Sequence, residues 1–321
     1  MPLNHIPVAL ILALGNAALL PRIPALADRA LPVTLGCAVI IAVLATVRRA
    51  WVDAGLGAVI ALILGLARLR WPATDGLLLV LITTAILAFV FLNATLLIGP
   101  WSRFFRPRFV RLMKHRRHVG VTGLLLALTH VNIVLSSYYN NQVPLALMIG
   151  SNVFGAASIY IIELLGLTSW DWAQGKITLR SWSIIHTLTL LPYLGLLGLG
   201  WRGGGLTPLE KIILVGIAVW WLWLAPWRVQ HFAHRTPNGW RQLHLLVYAA
   251  YLSVVVHIWR GVVGNRPLST QVVFWLPVVF VVGSHAIGLF LKYRQQAVRR
   301  AAASAVPPRT ITTASPPPTP S

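Results

Sequence analysis

Among 321 residues, 57% are hydrophobic and only 10% charged, and the mean hydropathy is +0.74, values that exclude a water-soluble surface. The formal charge of +21 does not read as nucleic-acid binding, because the basic residues fall between and beyond apolar runs rather than along one face. A single cysteine, Cys37, excludes an internal disulfide and an iron–sulfur cluster held by this chain alone.

Apolar runs of about 20 residues, whose backbone must be satisfied internally in lipid, predict α-helices and no barrel strands. Ten spans are predicted, near 5–20, 31–47, 51–67, 76–99, 117–137, 143–167, 181–200, 208–227, 240–260 and 271–292. The fold class is therefore all-α, a polytopic integral membrane bundle of about ten transmembrane helices. No Lys or Arg precedes the first run, which reads as a retained span and not as a signal peptide. With the N-terminus cytoplasmic, 19 of the 27 Lys and Arg fall on the inner side, so both termini are placed in the cytoplasm. The densest anchor is Arg103 to Arg117, and the following loop, SSYYNNQVP, is uncharged, so the fifth span runs outward. Residues 1–72 form N-terminal spans of unassigned role, 73–295 carry the intramembrane histidines, and 296–321 read as a disordered Pro/Ser/Thr-rich cytoplasmic tail.

Ionisable residues inside spans are costly and usually functional or paired. The six acidic residues, Asp28, Asp53, Asp75, Glu163, Asp171 and Glu210, sit nearly all at span ends or in loops and form no buried carboxylate ladder. Histidines remain. His244 and His257 share the ninth span 13 positions apart, about 19.5 Å along a helix axis, which puts one near each leaflet. His130 lies deep in LLLALTHVNIVL, and the fifth and ninth spans both start from the cytoplasmic side, so His130 and His257 reach similar depth. Two facing helices carrying neutral imidazoles at one depth suit the axial ligation of heme iron, with Leu, Val and Trp as the apolar shell. The plainer reading makes each histidine a polar bridge between helices. His186 is a weaker candidate, and His118, in the basic rim KHRRH, is more simply a lipid-headgroup contact, as a membrane partner requires. SWSIIH from Ser181 and GWRQLH from Gly239 each put Trp four residues before His, a two-residue echo that does not establish duplication.

These residues resemble the ferric reductase-like transmembrane domain family, most closely the heme-binding membrane subunit of the bacterial methionine sulfoxide reductase system. In that family a span opens with paired Arg and a Gly and reaches a heme-ligating His thirteen positions after the second Arg. Arg116, Arg117, Gly120 and His130 fit. A later family span has Trp, Leu-His, a Tyr four positions on and a second His at thirteen, matched by Trp240, Leu243, His244, Tyr248 and His257. The chain departs from the pattern at Leu245, where the family has a basic residue, and in having three spans rather than one between the ligand helices. LLGLTSWDWAQ followed by Trp182 and His186 also resembles the approach to the second ligand helix, so the counterpart is either this span or the one bearing His244.

The resemblance implies b-type heme, one or two per chain, with His130, His244 and His257 as iron ligands and His186 or His118 completing an inner site. It makes 73–295 the heme-binding domain of an electron-transfer subunit of an oxidoreductase, in a bacterial inner membrane. Electrons would enter on the cytoplasmic side and leave for an outer-side or periplasmic acceptor. Arg117, Arg180 and Arg241 are the candidates for heme propionates. No Gly-rich dinucleotide fingerprint is present, so no flavin or nicotinamide site is expected within this chain, and the donor is a separate flavoprotein reductase or membrane quinol. No nucleic acid is expected as a partner. The alternative is a non-redox transporter or scaffold using the same histidines, for which a span broken at Pro192 would be the mark.

Overall fold

The computed structural model describes residues 51–105, 110–113, 115–167, 179–224 and 243–304. The spans expected near 5–20 and 31–47 lie outside these residues, as does most of the C-terminal tail. The described chain is helical, with no strand among the described residues. We number its α-helices α1 (Trp51–Arg70), α2 (Gly76–Phe104), α3 (Val110–Met113), α4 (Arg116–Tyr138), α5 (Val143–Leu147), α6 (Gly150–Leu167), α7 (Leu179–Arg202), α8 (Pro208–Trp223), α9 (Val247–Ile258) and α10 (Leu268–Ser304). A 3₁₀ turn, His244–Leu246, opens α9 and a π turn, Trp259–Val263, closes it.

Among the described residues five helical stretches are long and apolar enough to cross a membrane: Gly76–Ser102, His118–Tyr138, Ile184–Arg202, His244–Val263 and Leu268–Val298. Gly150–Gly166 is apolar but shorter. The chain is a membrane protein. Its outward faces carry bare aliphatic side chains such as Leu62, Ile86, Leu191 and Leu276, which lipid can cover. The interior is built from small and polar groups as well as large ones, including Ala157, Ala249, Ala250, Ser158 and Ser253.

Local chemistry explains the element ends. Asp75 caps α2 through Leu78 N–H, and Thr207 with Glu210 forms a capping box on α8 behind Pro208. After α4 the chain turns through Asn140 and Asn141, both at positive φ, a conformation that Asn tolerates better than most residues. The run expected as one span over 143–167 divides: Pro144 starts the short α5, and α6 begins afresh at Gly150. α7 is continuous through Pro192, as α2 is through Pro100 and α10 through Pro277.

Four helices form the frame of the site. α2 lies against α4, α4 against α6, and α6 along α9. α9 closes the ring on α2 through Leu96, Tyr251 and Val255, and through Tyr251 O–H, which donates to Asn93 Oδ1 at 2.8 Å in the buried interface. α4 and α9 are thus diagonal across the bundle. α1 covers the α2–α4 side, α10 packs on α2, and α7 with α8 packs on α6, where Tyr193 and Trp221 are fully buried.

Candidate functional site

His130 stands on α4 and His257 at the end of α9, the two diagonal helices. Both residues are half-buried.

Their hydrogen bonds are alike. His130 Nδ1 is 3.2 Å from the Leu81 carbonyl on α2, and His257 Nδ1 is 2.7 Å from the Ser151 carbonyl on α6. A carbonyl only accepts, so in both rings the proton sits on Nδ1 and Nε2 carries the lone pair. Each imidazole is therefore tied to a flanking helix with Nε2 left as a base, and a hydrogen bond of this kind on the opposite nitrogen is what orients a histidine able to ligate a metal. Thr84 Oγ1 donates to the Val80 carbonyl at 2.8 Å and lies 3.1 Å from that of Leu81.

Gly155 on α6 makes room for the second ring. A Cβ there would lie 3.0 Å from His257 Cε1 and Nδ1, so the imidazole rests on bare backbone. With two Nε2 lone pairs on opposed helices, anchored rings and this glycine cradle, the residues fit a bis-histidine heme.

The remaining candidates are placed differently. His186 on α7 is 2% exposed, and its Nε2–H donates to the Trp221 carbonyl at 2.6 Å. Its Nδ1 is buried without a hydrogen-bond partner, and the ring meets Trp221 edge-on at 6.3 Å. The nitrogen that heme iron would take is thus used on α8. His244 is half-buried in the 3₁₀ turn that opens α9. His118 lies in the first turns of α4, its ring 6.1 Å from that of His115. Among the described residues no group of three or more His, Cys, Asp or Glu comes together as a metal cluster. The side chains of Arg117, Arg180 and Arg241 lie outside the described ones.

Sequence reasoning missed several contributors. Neither backbone acceptor, at Leu81 or Ser151, has a residue signature. His285 on α10 also proves to be a bridge: its Nε2–H donates to the Leu96 carbonyl at 3.0 Å, so its Nδ1 accepts from Tyr248 O–H at 3.1 Å. Gly155 was signalled only by the small-residue run GAAS.

No curated protein and no solved structure matches the chain. A family-level match covers about a third of it and spans α2 from Thr84 through most of α7, taking in His118, His130 and His186 and ending before His244 and His257. Over residues 84–197 the chain is similar to the family described as Ferric reductase like transmembrane component.

Proposed function

We propose that the chain is a b-type heme protein that carries electrons across the bilayer, from a cytoplasmic-side flavoprotein or quinol to an acceptor on the outer side. The observation that carries this reading is the matched pair His130 and His257, opposed on α4 and α9, each giving its Nδ1–H to a backbone carbonyl and presenting Nε2. Heme, when bound, supplies a one-electron iron couple that no side chain here provides. The chain's own residues hold and orient. Leu81 and Ser151 fix the two ring planes and raise the basicity of the opposite nitrogens. The apolar walls of α2, α4, α6 and α9 exclude water, and so set the polarity around the iron ligands.

An inner site at His244, with His186 or His118 opposite, belongs to the same proposal. For His186 to serve, its imidazole must turn off the Trp221 carbonyl. We place the protein in a bacterial inner membrane with both termini cytoplasmic, and assign 73–295 to the heme domain. Kinship with the membrane subunit of the methionine sulfoxide reductase system is part of this reading. α7 runs unbroken through Pro192, which takes away the main support for a transporter.

Replacing His130 or His257 with Ala tests the pair. Either substitution is expected to abolish the same low-spin signal in the optical spectrum of protein purified with heme. Retention of that signal in both variants would sink the assignment.

A further inference from the structure

Glu210 is one of only six acidic residues and is 5% exposed, yet nothing in the electron-carrier reading uses it. Its Oε2 accepts from Thr207 N at 2.7 Å and Thr207 Oγ1 at 2.8 Å, which completes the cap of α8. A cap needs no more than this. The other oxygen, Oε1, takes Arg260 Nε at 2.6 Å.

Arg260 stands three residues beyond His257, in the π turn that closes α9, and its Nη2 also donates to the Gly205 carbonyl at 3.2 Å. Gly205 in turn lies on α6: a Cβ on it would come within 2.8 Å of Gly150 N and Met148 O, so no other residue fits without displacement. Gly150 precedes Ser151, whose carbonyl holds His257 Nδ1. The helix that bears His257 and the carbonyl that orients its ring are therefore both fastened to one segment, Gly203 to Thr207. π turns of this kind recur at functional sites.

We propose that Glu210 and Arg260 are positioning residues that fix the orientation of the His257 imidazole. The inference rests on the heme reading. A half-exposed ion pair adds little to stability, whereas a charge-assisted contact from a buried carboxylate fixes geometry. With the pair intact, α9 cannot rotate or slide at its outer end without breaking the hold on both Glu210 and Gly205.

The test uses the full chain, purified with heme in lipid nanodiscs, and the paramagnetic resonance signal of the low-spin ferric heme that disappears in His257→Ala. Glu210→Gln keeps the size of the side chain and an oxygen for Thr207 while removing the charge. Arg260→Gln breaks the latch from the other side. Both are expected to shift that signal and to speed heme loss by up to about tenfold, since the bond from His257 to Ser151 is loosened and not removed. Arg260→Lys should restore most of the wild-type behaviour. Wild-type signal and heme retention in Glu210→Gln and Arg260→Gln would overturn the latch and leave the heme reading standing, and so would a lowered unfolding temperature with an unmoved signal. A wild-type protein that binds no heme would overturn both.

Discussion

Gly155→Ala is a substitution whose two consequences have opposite signs. Alanine in place of glycine inside a helix stabilises it by about 0.5–1 kcal/mol, so α6 itself should gain. The new methyl, however, would sit 3.0 Å from His257 Cε1 and Nδ1 and 3.3 Å from Cγ. Carbon contacts are most favourable at about 3.5–4.0 Å, so the ring must retreat by roughly 0.5 Å. It cannot do so without straining the 2.7 Å bond to Ser151. Forcing a methyl into such a contact costs about 1–3 kcal/mol, and disturbing an outer-shell partner weakens metal binding by about 10–100-fold. The assay is heme retention through gel filtration together with thermal unfolding of the heme-free protein. Because the cost of the contact outweighs the helix gain, heme-free Gly155→Ala should unfold somewhat earlier than wild type, by up to about 2 kcal/mol, while losing heme at least about tenfold more readily. Gly195→Ala on α7, where a Cβ meets nothing within 4 Å, is the control and should leave heme binding unchanged. Wild-type heme retention in Gly155→Ala would refute the placing of His257 against α6.

Two further outcomes follow from the same contacts. Tyr251→Phe strips the buried Asn93 Oδ1 of its donor, and should lower stability by about 1–3 kcal/mol in a detergent unfolding assay with heme content unchanged. His186→Phe removes the bond to the Trp221 carbonyl and should lower the unfolding temperature, while heme per folded chain stays at the wild-type value because Nε2 is already engaged; loss of one heme per chain would show instead that this imidazole turns to bind iron.

Much of the helical layout is legible in hydropathy, because lipid permits only backbone that satisfies itself. The bounds of α1, α2, α4 and α7 fall within a few residues of the apolar runs. The division between α5 and α6 escapes hydropathy, since VPLALMIG is apolar throughout; the turn there is made by the close approach of Gly205 to Gly150, a tertiary contact. The proposal that His130 pairs with His257 starts from depth and helix direction in the sequence. What is not readable is how each ring is held, because the acceptors are main-chain carbonyls of Leu81 and Ser151 on other helices. Glu210 reads from sequence as an ordinary acid near the start of a span. Only its packing shows that one oxygen caps α8 and the other reaches the end of α9. For His186 the sequence setting resembles a ligand approach and gives no sign of the Nε2–H bond to the Trp221 carbonyl, which comes from another helix.

The central claim, that this bundle carries heme, is tested most directly by a reduced-minus-oxidised optical spectrum of the purified protein with a pyridine hemochrome assay of heme per chain. The account predicts a b-type spectrum with at least one heme per chain. A colourless protein, expressed with ample heme, would contradict it.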